Sequence, residues 1–360
     1  MIADGLKLFV KMFLVITVIF TVFFFFLSIV LGPVLFYFTP DGLTTSMLYL
    51  SALPVWFFTA TIYIPIELNL GVLFLSLWSI FTLSFVAAWK LNENFHQTLK
   101  ESLTKPTRKL LNSSLFALPI ISSMTYIAVV VIQSVQEAGG IPTGTTPLPG
   151  DPFMDFLDLS YSAVIEEIIF RLIPIGAFLI IHLFITKKTE LVSLKQKLKL
   201  FFTAILLPDH AKRMAGTKTV ADHGIIRGIS PSEWGMVIIT SVIFGLVHFD
   251  PGVSWEIGKV SSATFAGLVI ALCYLVYGVH VSILMHWFFN SYTETFILLS
   301  DFYPTTIPLV NAVTLTILIL GILGWIVLLT LGYLKLIRTL LKKDKNQQTQ
   351  TTSSPSISLQ

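Results

Sequence analysis

SAVIEEIIFRLIPIG, residues 162–176, sets two adjacent glutamates and an arginine into an otherwise apolar run. The rest of the chain decides how this stretch is read. Of its 360 residues, 54% are hydrophobic and only 12% are charged, whereas a soluble domain carries roughly 25% charged residues. Thirty phenylalanines and repeated apolar runs near or above ~18 residues point to an all-α, polytopic transmembrane helical bundle. Glu166, Glu167 and Arg171 therefore lie inside a spanning helix. The net charge of +3 is small and gives no sign of a nucleic-acid partner. The one cysteine, Cys273, cannot form a disulfide within the chain. The N-terminal apolar stretch has no small-residue cleavage site before a polar region, so it reads as a retained span.

The pattern predicts eight or nine spans around a buried polar cavity. They fall at about residues 8–32, 47–66, 69–89, 113–134, 153–185, 233–249, 260–278, 279–300 and 308–337. Residues 1–112 comprise the first helices and a basic loop, and 113–300 a helical core with a basic insertion at 186–232. Residues 301–337 hold a last helix, and 338–360 a polar tail whose composition predicts disorder. The segment 90–112 (Lys90, Lys100, Lys105, Arg108, Lys109) and the insertion (Lys187, Lys188, Lys195, Lys197, Lys199, Lys212, Arg213) are basic. Basic loops stay cytoplasmic, which puts both, with the tail, inside a cell membrane. This alternates cleanly from residue 90 onward. Lys7 and Lys11 favour an inside N-terminus as well, but three full spans would then leave residue 90 outside. Either the N-terminus is outside or one of the first three segments does not cross. In the insertion, Leu191, Leu194, Leu198, Phe201 and Ile205 share a helical face with lysines off it. That suits a helix on the membrane surface and, equally, a linker helix packed on its own domain.

A charge at the centre of a spanning helix costs about 2.5–3.5 kcal/mol on insertion scales, so the three at 166–171 need partners or water. Glu167 and Arg171 are spaced i, i+4, the favourable order for an ion pair on one face. Glu166 points ~100° away. Glu167–Arg171 is thus a structural ion pair, and Glu166 is left to take a proton from a reactant, the task of a general base. Later spans carry FGLVH, with Phe244 and His248 at i and i+4, and HWFFN, with His286 and Asn290 at i and i+4. His248 alone, like His182 and His280, reads as an interfacial residue. His286 and Asn290 share a face, and both can donate hydrogen bonds, as an oxyanion site requires. Gly245 and the Ala263–Gly267 pair read as close helix packing.

Glu166-Glu167-x-x-x-Arg171, Phe244-x-x-x-His248 and His286-x-x-x-Asn290, in that order on successive apolar segments, resemble the CPBP family. This is the Abi or CAAX-protease and bacteriocin-processing family, which includes the type II CAAX prenyl endopeptidases. The resemblance covers about residues 150–300. It implies an intramembrane endopeptidase in which Glu166 and His248 activate water while His286 and Asn290 stabilise the oxyanion. The connection between Arg171 and Phe244 is longer than the family's common pattern. Bringing both histidines to Glu166 requires FDPGVSWEIG, residues 249–258, to line a cavity rather than reach the surface.

The chain has no His-Glu-x-x-His, Gly-x-Gly-Asp or Gly-x-Ser-x-Gly sequence, which disfavours zincin, aspartyl and serine chemistry. No cofactor is expected. The metal alternative is a zinc ion on Glu166, His248 and His286, disfavoured because no partner for the second ring nitrogens is evident in sequence. The expected partners are the lipid bilayer and a membrane-anchored protein or peptide substrate. The rival readings are a non-proteolytic scaffold or immunity protein and a proton-coupled transporter.

Overall fold

A computed structural model describes residues 2–57, 60–146, 150–186, 193–250 and 254–352. In chain order the long helices are α1 (Ile2–Phe38), α2 (Leu70–Lys90), α3 (Ser114–Ala138), α4 (Pro152–Ile185), α5 (Leu194–Leu206), α6 (Pro231–Leu246) and α7 (Ile257–Tyr277). Then come α8 (Val279–Trp287, continued through a π turn to Phe302) and α9 (Ile307–Thr352). Among the described residues, six stretches are long and apolar enough to cross a membrane, drawn from α1 to α4, α7 and α9. The 16 residues of α6 reach only about 24 Å at 1.5 Å per residue. The molecule is a polytopic bundle of the all-α class.

Aromatic side chains join α1, α2 and α8. Phe36 and Phe74 stack with centroids 3.8 Å apart, and Phe25 meets Trp287 and Tyr292 edge-on. The Trp78 indole donates to the Ile29 carbonyl at 2.7 Å, so the one polar atom of a buried ring is satisfied. α6 and α7 touch through Gly245, where a Cβ would lie 2.5 Å from the Val260 carbonyl oxygen. This is the close approach expected of that glycine.

The segment expected as a span at 47–66 is not a helix. It forms an antiparallel ribbon in which β1 (Tyr49–Leu50) pairs with β4 (Leu68–Asn69) and β2 (Leu53–Phe57) with β3 (Ala60–Ile64), in the register Leu53↔Ile64. Pro54 and Pro65 forbid a continuous helix, and Val55, Thr61, Ile62, Tyr63 and Ile64 favour extended backbone. Periodicity cannot separate a short apolar strand from a buried helix. The ribbon is fixed to the bundle by the Tyr161 hydroxyl, which donates to the Pro54 carbonyl.

Two further differences concern the polar segments. Residues 193–230 of the insertion fold into short helices. On α5, Leu200 and Ala204 pack on Leu179, Leu183, Ala211 and Ala215, while Leu194, Leu198, Phe201 and Phe202 stay exposed. The linker-helix reading thus describes the packed face of α5, and the opposite apolar face is exposed. Lys187, Lys188 and Leu191 lie outside the described residues. At the C-terminus, α9 continues to Thr352, where a disordered tail was expected from 338. Lysine and glutamine in that stretch are good helix formers. Residues 353–360 lie outside the described residues.

Candidate active site

Within α4 the backbone changes from α to π geometry at Ile168–Gly176. Pro174 has no N–H and its ring would crowd the carbonyl four residues back, so the ladder widens. Glu166 and Glu167 stand just before this widening. Glu167 is fully buried and Arg171 is 1% exposed, with Arg171 Nη1 donating to Glu167 Oε1 at 2.9 Å. Arg171 Nη2 also donates to the Gly267 carbonyl at 3.3 Å, and the guanidinium lies 4.4 Å from the Phe244 ring centroid. The expected ion pair is present. Glu166 faces elsewhere, with its side chain 18% exposed.

His286 joins this pair. Its Nδ1 lies 2.8 Å from Glu167 Oε1, and its Nε2 lies 3.6 Å from Glu166 Oε2. With Nδ1 on Glu167 Oε1, Nε2 is the ring atom turned toward Glu166. Glu167 therefore holds both Arg171 and His286, a double role that the i, i+4 spacing does not reveal. His248 lies just past the end of α6, with Nδ1 2.7 Å from the Phe244 carbonyl oxygen, which leaves its Nε2 as the outward atom. The Phe244 ring meets both imidazoles, with centroids 4.7 Å from His248 and 5.9 Å from His286. Asn290 sits in the π turn Phe288–Tyr292 of α8, and its Nδ2 donates to the Leu159 carbonyl at 3.3 Å. π turns often mark functional sites, and two of them flank these side chains.

Glu166, His248 and Asn290 line one cavity of about 690 Å³, together with Asp158, Trp255 and Lys259. Phe249, Asp250 and Ser254 line it as well, so the described part of the 249–258 segment borders the cavity; residues 251–253 lie outside the described residues. A carboxylate, an imidazole and a carboxamide thus converge on one cavity, with His286 outside its lining but 3.6 Å from Glu166 Oε2, and their order in the chain can be compared with known proteins. Residues 152–292 match the type II CAAX prenyl endopeptidase Rce1-like family model. No curated protein and no solved structure matches the chain.

The matched region starts with the first residue of α4 and ends with the last residue of the π turn that carries Asn290. It includes Glu166, Glu167, Arg171, His248, His286 and Asn290, and less than half of the chain lies within it. The Rce1-like family is a protease family. Beyond the expected residues, the cavity of this region holds Lys259, whose Nζ lies 3.6 Å from the centroid of the Trp255 ring. Sequence reasoning passed over Lys259. The available signal was a lone lysine in the first turn of an apolar helix, four residues after a tryptophan. Asp158 gave none, since an aspartate in the second turn of a span reads as interfacial.

The donor set bears on zinc in two opposing ways. Each histidine has its Nδ1 engaged, on the Phe244 carbonyl and on Glu167. Such partners orient metal-binding imidazoles, and the sequence had not revealed them. Yet among the described residues no three His, Cys, Asp or Glu side chains cluster closely enough to hold a metal ion. The fit is incomplete, and the chemistry below is assigned to the chain's own residues.

Proposed function

We propose that this protein is an intramembrane endopeptidase acting on a membrane-anchored substrate. The observation that carries the reading is the convergence of Glu166, His248 and Asn290 on one cavity, with His286 Nε2 3.6 Å from Glu166 Oε2. In this reading Glu166 takes a proton from a water that His248 Nε2 helps to orient. The resulting hydroxide attacks the scissile carbonyl carbon. Asn290 Nδ2–H and His286 Nε2–H donate to the oxyanion that forms. Glu166 then returns its proton to the leaving nitrogen as the C–N bond breaks. Glu167 and Arg171 act through His286 by fixing its ring, so they are positioning residues.

The ribbon at 49–69 supports a membrane arrangement for the same protein. If that segment does not cross, α1 and α2 bring residue 90 back to the side on which the chain began, and the tension in the first third disappears. Eight crossings follow, counting the short α6 and the interrupted α8. Both ends and both basic connections then lie on the cytoplasmic side of a cell membrane.

The test uses purified full-length protein in nanodiscs with a membrane-anchored peptide library, read by mass spectrometry of peptide termini. Wild type should cleave and Glu166→Gln should not, at equal abundance and melting temperature. Cleavage that survives Glu166→Gln refutes the assignment. Proton-coupled flux in liposomes without cleavage favours the transporter. A cellular phenotype that Glu166→Gln leaves intact favours the scaffold.

A further inference from the structure

A second cavity, of about 390 Å³, lies away from the candidate active site, between the end of α4 and the start of α6. Lys212 is 5% exposed, and its Nζ lies 2.9 Å from Glu233 Oε1 and donates to the Gly228 carbonyl. Glu233 is itself 1% exposed and caps α6 through Ser230. The charge of Lys212 is thus balanced within the fold. Two more cations line the same space, Lys218 and Arg227, both exposed. Among the described residues neither has a carboxylate within ion-pair distance. The cavity therefore carries an excess of about two positive charges beside a fixed ion pair, with the Thr217 and Ser230 side chains also on its wall.

We propose that this cavity binds a phosphate-bearing group, the head group of an anionic phospholipid. An arginine fork matches phosphate oxygens in pairs, and a lysine adds a point charge. Its place in the fold favours a lipid as the source. His182 and Leu183 lie near the end of spanning helix α4, and Trp234 lies in the first turn of the shorter apolar helix α6. The cavity is thus at the depth where spanning helices meet the interface, where tryptophan and basic pockets contact head groups. Ile226, on the wall of the cavity, is 82% exposed. Alongside, α5 presents Leu194, Leu198, Phe201 and Phe202 outward, with Lys195, Lys197 and Lys199 on the same helix. An apolar face edged with lysines beds on anionic lipid. The site is independent of the peptidase reading, and its test needs no substrate.

The experiment is a thermal-shift titration of the full-length protein in a neutral detergent. The probes are short-chain phosphatidylglycerol, short-chain phosphatidylcholine and inorganic phosphate. Phosphatidylglycerol should raise the melting temperature saturably, well beyond phosphatidylcholine at equal concentration. The double variant Lys218→Gln/Arg227→Gln should melt as wild type without lipid and bind phosphatidylglycerol at least about tenfold more weakly, since it loses its charge-assisted bonds. The triple variant Lys195→Gln/Lys197→Gln/Lys199→Gln should keep the shift. An equal shift with inorganic phosphate makes the source a soluble phosphate and overturns the lipid assignment. No shift with any probe, an undiminished shift in the double variant, or its loss in the triple variant overturns the site.

Discussion

Separating the two glutamates is the sharpest test of the buried charge cluster. Arg171→Met removes a guanidinium that is 1% exposed, together with its 2.9 Å bond to Glu167 and its contact with the Phe244 face. Breaking a buried pair by removing one partner costs about 3–5 kcal/mol. His286 Nδ1 stays on the same oxygen of Glu167, so this variant should fall near the lower end, about 3 kcal/mol. Glu167→Ala strands the arginine with only the Gly267 carbonyl at 3.3 Å and the aromatic face, and should reach about 5 kcal/mol. Combining the two removes both charges, so the double variant should cost less than the sum of the singles. Glu166 Oε2 is buried without a hydrogen bond, so Glu166→Gln should melt at or above the wild-type temperature while cleavage disappears. Melting in detergent and cleavage are measured on the same preparations. If Glu166→Gln unfolds the protein while Glu167→Ala melts normally and is inactive, the division of labour is reversed and the helical-face reasoning fails.

Asn290→Ala should lower kcat by roughly a hundredfold or more with KM little changed, as loss of one oxyanion donor does; a change confined to KM would make Asn290 a substrate-binding residue. Gly267→Ala places a Cβ 2.8 Å from Phe244 Cδ1. The overpacking should cost about 1–3 kcal/mol and slow cleavage by moving the ring between the histidines, while unchanged melting and rate would show that Phe244 gives way freely. A chelator wash should leave activity intact in protein free of stoichiometric zinc, whereas loss restored by added zinc would make Glu166, His248 and His286 the ligands.

What could be read from sequence follows from the kind of interaction involved. Spanning helices announce themselves by length and hydropathy, and the Glu167–Arg171 bond by helical spacing, because both depend on neighbours along the chain. The ribbon at 49–69 is not legible from hydropathy, because apolar strand and apolar helix residues overlap; its local signals are Pro54 and Pro65. The bond between Glu167 and His286 joins positions 119 residues apart, and no local pattern encodes that distance. His248 shows the same limit. Its spacing from Phe244 is visible, but without the family resemblance it reads as an interfacial histidine. The Lys212–Glu233 pair was hidden as well, since a lysine in a basic connection looks solvated until the chain folds over it.

The π turn at Ile168–Gly176 bears on how the chain tolerates insertions and deletions. A π turn holds one residue more than the α ladder needs, and the helix on either side keeps the phase it would have without it. Loss of one residue inside 172–176 should let the ladder close as α helix, keep the Glu167–Arg171 spacing and leave both flanks facing as before. The same loss between Asp158 and Ala163 would rotate everything N-terminal to it by ~100° relative to Glu166, turning Phe153 and Phe156 away from the aromatic core and Asp158 away from the cavity. Paired one-residue deletions at these two places, scored by membrane abundance alone, would map where the helix is keyed to the core and where it has slack.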